Sequence, residues 1–254
     1  MTLDDKQASV PSVEMEEDAE YKRQLDIFVR SSTEKGIELV KIGEIIAGLA
    51  HRTSFLDIGA ANGELTIPLS QSFKETTVVE PNEKQVAFLR RRCPHFTIYN
   101  DLWKKINLGS RCYDFILCSH VLYYIEEGKW LATIEKMYQH LEKHGSIAVV
   151  LQSPLGEVAG FFNQFARYDV NILQLWQQLI KRYGEDAIGV RYFINEIWTE
   201  NLDDMVAIGL FLLLDRKFKN HKDKIGEYFE NHHKVVGGYR LLQDEILLTI
   251  KKLN

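Results

Sequence analysis

An open, doubly wound, mostly parallel α/β sheet with an N-terminal helical lid is the fold this sequence predicts. Three observations carry the prediction. Short, almost continuously apolar runs alternate with amphipathic stretches between residues 54 and 152. A loop of small residues follows the first of these runs, and two helical patterns precede it. Runs that are apolar throughout suit strands buried on both faces. Strand–helix–strand repetition at these lengths implies right-handed crossovers and a parallel sheet.

Residues 1–15 are small, polar and acidic, include Pro11, and read as disordered. From residue 16, Tyr21, Leu25, Phe28 and Val29 recur at helical spacing until Ser31-Ser32. Ser31, with Glu34 three residues on, reads as a capping box for a second helix carrying Ile37, Val40, Ile45, Ile46 and Leu49 to about residue 50. These two helices (16–50) form the expected lid. Strands follow at 54–59, 76–81, 96–100, 113–119 and 146–152, with helices at 63–73, 82–92 and 128–143.

After Pro154 the pattern loosens into an insertion (154–198). It holds one or two helices over 157–183, with an aromatic run of Phe161, Phe162, Phe165, Tyr168 and Trp176 that reads as core or lid packing. Residues 189–197 read as strand or loop. A helix at 199–208, a strand at 210–214, a helix at 221–232 and a last strand at 245–251 complete a single domain over 16–254. His232-His233, ending a charged helix, read as solvated.

Composition removes several function classes. The chain has 254 residues, 31 basic and 36 acidic, for a net charge of −5, with 45% hydrophobic and 26% charged residues. Such a chain buries a core without disulfides or structural metals. A mildly acidic sequence without basic stripes is a poor nucleic-acid binder. The apolar stretch at 208–214 is far short of the ~20 residues that cross a membrane. The acidic N-terminus resembles neither a secretory nor a transit signal. Cys93, Cys112 and Cys118 form no CxxC pair, which argues for a reducing compartment and against a zinc site. A cytoplasmic monomer or weak dimer facing a small-molecule substrate, with no metal, is the expectation.

FLDIGAANGELT (55–66) is the most informative segment. A strand delivers Asp57, and Gly59, Ala60, Ala61, Asn62 and Gly63 form a tight loop opening a helix. Small residues suit a backbone that passes within contact of a ligand, and the helix N-terminus offers amide donors. Ala61 stands where the dinucleotide fingerprint needs its middle glycine. Glu80-Pro81 closes the second strand about twenty residues on, where a carboxylate grips ribose hydroxyls. Glu80 could equally be a solvated cap beside Asn82, and the glycines could be plain turn residues. Asn100-Asp101 forms a polar end to the third strand.

This strand–DxGxxxG–helix–strand–Glu order resembles the class I S-adenosylmethionine-dependent methyltransferases, a Rossmann-like family. RSSTEKG (30–36), VVEPNEKQ (78–85) and SHVLYYIEE (119–127) look closer still to histamine N-methyltransferase and its relatives. The resemblance implies S-adenosyl-L-methionine as cofactor, held by the 59–63 loop, Glu80, Pro81, Gln85, Asn100, Asp101 and Ser119, with Asp57 orienting the loop or binding the methionine amino group. It also implies acceptor contacts from Tyr21, Phe28, Glu34, Tyr124 of the Tyr123-Tyr124 pair, and Gln243. The family carries glutamine where this chain has His120. A histidine, with an ordinary pKa near ~6.5, can take a proton that glutamine cannot. The expected reaction is therefore methyl transfer to a nitrogen of a small amine or imidazole, with His120 as base. O- or C-methylation, a nicotinamide oxidoreductase disfavoured by Ala61, and a non-catalytic cofactor binder remain alternatives.

Overall fold

The computed structural model describes residues 19–165, 172–213 and 221–253. The expected disorder at 1–15, the helix start at 16, Tyr168 and Leu214 lie outside the described residues. In chain order the elements are α1 (Ala19–Ser31), α2 (Glu34–Ala47), β1 (Ser54–Ile58), α3 (Thr66–Ser70), β2 (Glu75–Val79), α4 (Glu83–Arg92) and β3 (Thr97–Tyr99). Next come β4 (Tyr113–Ser119), α5 (Trp130–Gln139), β5 (Leu141–Gln152), α6 (Glu157–Phe165), α7 (Ile172–Tyr183) and β6 (Ile188–Thr199). The last are α8 (Leu202–Leu212), α9 (Lys222–His232), β7 (Lys234–Val235) and β8 (Gly238–Lys251). The strand order β3-β2-β1-β4-β5-β8-β6 is that of an open, doubly wound sheet, with β7 paired to β8.

The chain divides into two compact units. The larger comprises 36–151, 171–192 and 246–254. Its strands β1–β5 are all parallel where they pair. Phe55, Leu56, Phe115, Ile116, Leu117 and Cys118 are fully buried, as doubly covered strands require. Asp114, at the start of β4, accepts hydrogen bonds from the backbone N–H groups of Thr53 (2.7 Å) and Ser54 (2.9 Å), which locks the entry of β1 against it. The order reverses between β1 and β4, and ligands gather outside the carboxyl ends of strands at such a switch point.

The smaller unit comprises 1–35, 152–170 and 193–245. Ile27, Phe28, Phe161, Ile197, Ile208, Phe229, Tyr239 and Leu241 belong to one apolar cluster there. The aromatic run contributes to this packing: Phe161 stacks on Phe229 at 5.2 Å. No helix among the described residues is long and apolar enough to cross a membrane.

The outer strands β6 and β8 are neighbours. In the larger unit, a Cβ on Gly189 would lie 2.4 Å from Thr249 Oγ1. In the smaller unit, a Cβ on Gly238 would lie 2.1 Å from the Thr199 carbonyl oxygen. Numbering rises along one strand as it falls along the other, so β6 and β8 are antiparallel.

Four local expectations are corrected. The helix expected over 63–73 is only Thr66–Ser70. Pro68 has no N–H to give the Glu64 carbonyl, so it is tolerated only in the first turn and forces a late start. The strand expected at 210–214 is instead the end of α8, started by Asn201, whose side chain accepts from Asp204 N–H at 2.8 Å. A short apolar run reads alike as strand or buried helix. The capping box is replaced by an extended Ser32-Thr33: Ser32 pairs with Ile197, and Thr33 N–H donates to the Glu196 carbonyl at 2.9 Å. Glu34 then becomes the first residue of α2 rather than its third. His233 is buried, not solvated, with Nδ1 bonded to the Arg240 carbonyl.

Two predictions follow from these contacts. Gly59 has φ +80°, and a Cβ there would lie 2.3 Å from Val121 Cγ2. Gly59→Ala should cost about 2–4 kcal/mol in urea unfolding. Gly59→Ala with Val121→Ala should recover the steric part and leave the backbone part. Burial lowers the His233 pKa against the opposing pull of Glu157. Its contribution to stability is therefore full above the unfolded value near ~6.5 and lost as pH falls below it. The fall in Tm between pH 7 and 5 should be smaller in His233→Gln.

Candidate functional site

In the larger unit the glycine loop is held from within the protein. Gly59 N–H donates to the Val79 carbonyl at 2.8 Å, and Gly63 N–H to the Ala60 carbonyl at 2.8 Å. Gly63 has φ +82°, and a Cβ there would lie 2.7 Å from Leu89 Cδ2. Ala61 also takes a positive φ of 46°. The loop is thus small because of backbone conformation and packing. Asp57 is buried and accepts from Thr66 Oγ1 at 2.6 Å, so it orients the start of α3.

Glu80 is the centre of this arrangement. Its carboxylate is buried and accepts from Ala61 N–H at 2.9 Å through one oxygen and from Asn82 N–H at 2.8 Å through the other. Asn82, not Glu80, caps α4, accepting from the N–H groups of Lys84 and Gln85. Asn100 Nδ2 donates to the carbonyls of Glu80 and Pro81, both at 3.0 Å, and so sets the turn that aims Glu80. Asp101 instead turns to its own backbone: Leu102 N–H, then Lys105, hold its carboxyl below the ordinary range. Gln85 lies in the first turn of α4.

The exit of β4 carries a constellation that sequence reading missed in part. His120 adopts a left-handed φ of 56°. Its Nε2 lies 2.7 Å from Glu38 Oε1, and Ser119 Oγ donates to Glu38 Oε2 at 3.1 Å. Glu38 is fully buried. A carboxylate only accepts, so in the neutral ring Nε2 carries the hydrogen and Nδ1 keeps the lone pair. Tyr123 stacks on the imidazole at 5.9 Å and its hydroxyl lies 3.4 Å from Nδ1. Of the tyrosine pair, Tyr123 lies against His120. A signal for Glu38 was present: residues 38, 42, 45 and 46 form a buried stripe of α2, and a carboxylate fills a core position of it. Burial pushes the Cys118 thiol well above its ordinary pKa, with the Asp57 charge adding to the effect, so Cys118 is packing and not a nucleophile.

In the smaller unit, Glu34 and Gln243 come together although 209 residues separate them: Gln243 Nε2 donates to Glu34 Oε2 at 2.8 Å. The same Nε2 donates to Glu245 Oε1 at 3.0 Å. All three side chains are buried, and Lys35 Nζ pairs with Glu34 Oε1 at 2.6 Å. Glu245 was not anticipated. Tyr21 and Phe28 pack on Phe211, with centroids at 5.5 and 5.0 Å, so Phe28 is a core residue of this unit.

The sequence profile of the family described as "Methyltransferase domain" matches residues 27–192. No curated protein sequence gives a match. Among solved structures the chain is similar to a Bacillus halodurans protein assigned as a methyltransferase (12% identity, 85% of this chain and 99% of that one, TM-score 0.60). It is similar to the plantazolicin methyltransferase BpumL in complex with SAH (11% identity, 92% and 91% covered, TM-score 0.59). It is also similar to a SAM-dependent methyltransferase from Archaeoglobus fulgidus (15% identity, 85% and 94% covered, TM-score 0.51). At these identities the likeness is one of fold.

Glu80→Ala removes the acceptor of two backbone N–H groups at once. Hydrogen exchange should show protection lost at Ala61 and Asn82 while β1 and β4 stay protected.

Proposed function

The chain belongs to the methyltransferase-domain family, and from that premise we propose that it methylates a nitrogen of a small cationic amine or imidazole. It is a methyltransferase that uses S-adenosyl-L-methionine. The chemistry of the cradle suits this cofactor. Each oxygen of Glu80 accepts one backbone N–H, which fixes the carboxylate at the end of β2, the position we assign to holding the ribose hydroxyls. Gln85, Asn100 and Ser119 are the residues we assign beside it, with Asp57 orienting the loop. When bound, the cofactor supplies an electrophilic methyl carbon on a sulfonium.

The observation that carries the choice of acceptor is the buried carboxylate pair, Glu34 and Glu245, sharing the Gln243 amide. Buried carboxylates favour cations, as the Lys35–Glu34 pair already shows, and a protonated amine is a cation of the same kind. We assign Glu34 and Gln243 to holding the acceptor. The nitrogen that takes the methyl must shed a proton in the course of the transfer. His120 Nδ1 is assigned as the base, with Glu38 fixing the tautomer and stabilising the imidazolium that results. Resemblance of the 30–36, 78–85 and 119–127 segments to histamine N-methyltransferases supports the same reading.

The test is transfer of tritiated methyl from S-adenosyl-L-methionine to a panel of amines, imidazoles and phenols. Label on a nitrogen of a small cation is expected; label confined to phenols, or to none of the panel, overturns the acceptor assignment. His120→Ala should lower kcat roughly 10²–10⁴-fold with S-adenosylhomocysteine affinity in calorimetry unchanged. Glu34→Gln should raise KM about tenfold for cationic acceptors and leave neutral isosteres nearly unaffected.

A further inference from the structure

We propose that Asn195 completes a recognition shelf for a primary ammonium group with Gln243, Glu34 and Glu245, and thereby sets which amine the enzyme accepts. The inference rests on the cationic-acceptor reading above. Asn195 is fully buried, and neither its Oδ1 nor its Nδ2 has a hydrogen-bond partner among the described residues. Gln243 Oε1 is in the same condition, although its Nε2 serves two carboxylates. Buried polar groups are almost always paired, so three such atoms in one neighbourhood call for a ligand.

The neighbourhood follows from the strands. On β6, Phe193, Asn195, Ile197 and Thr199 are buried while the residues between them are exposed. Ile197, Tyr239 and Leu241 share the apolar cluster, so the odd-numbered residues of β6 and β8 face the same way. Gly238 abuts Thr199 in an antiparallel pair, which brings Asn195 opposite residues 242–243. Facing side chains at such positions have Cβ atoms about 4.5–5.5 Å apart. The chain leading into Glu34 follows the same strand, with Ser32 paired to Ile197 and Thr33 bonded to Glu196.

The chemistry of the shelf is specific. Two carboxylates and two amide carbonyl oxygens are acceptors, against the two N–H donors of the Asn195 amide. A primary ammonium brings three N–H groups to such a set. A tertiary ammonium brings one and leaves the amide oxygens unpaired, which is how a polar site rejects an analogue lacking its donors.

Asn195→Leu, nearly equal in volume, is the test, with histamine, N,N-dimethylhistamine and 4-methylimidazole, which lacks the aminoalkyl group, as probes. In the ligand-free protein, replacing an unpaired buried amide by an apolar group should raise Tm by about 3 °C. KM for histamine should rise about tenfold, with kcat, S-adenosylhomocysteine affinity and KM for 4-methylimidazole close to wild type. The preference for histamine over its dimethyl analogue should vanish, and Asn195→Asp should retain it. If Asn195→Leu lowers Tm and keeps the wild-type preference, Asn195 is structural and the proposal falls alone. If the wild type binds S-adenosylhomocysteine but none of the amines, the cationic-acceptor reading falls and takes this one with it.

Discussion

A carboxylate can leave water only where fixed donors take the place of the water, and the working parts of this chain are organised around that constraint. At the carboxyl end of β2, Glu80 is satisfied by backbone N–H groups from two different turns. At the opposite end of β4, Asp114 is satisfied by the N–H groups entering β1. Asp57 depends on Thr66, and Glu38 on Ser119 and His120. Each acid therefore specifies a conformation of the segments that reach it. The glycine loop owes its shape to Glu80 and to tight side-chain packing, with no contribution needed from a long helix behind it.

The two kinds of donor have different consequences. Backbone N–H groups hold Glu80, and backbone is the same whatever side chain a position carries, so this arrangement tolerates sequence change around it. Side chains hold Glu34, Glu38 and Glu245. There a single substitution alters the charge or the donor count directly.

What the sequence disclosed and what it hid divide along chain distance. The loop, Glu80 and the strand pattern are local signals: small residues, one acid at the end of an apolar run, and spacing. The capping-box reading of Glu34 failed because a strand 163 residues away holds Ser32-Thr33 extended. Glu38 escaped notice because its partner is 82 residues distant, although an acid inside an apolar helical stripe was itself a signal. The strand read at 210–214 failed for a different reason: a helix whose residues are apolar without a break from Met205 to Leu212 has no polar face there to reveal its period.

The left-handed backbone at His120 narrows what evolution can try at that junction. Side chains branched at Cβ are strained there, while histidine, asparagine, aspartate and glycine are the residues most at ease. Three of these four can exchange protons or hydrogen bonds with a bound molecule. The corner where β4 ends thus filters its own mutations toward polar, chemically capable side chains before selection for any substrate begins.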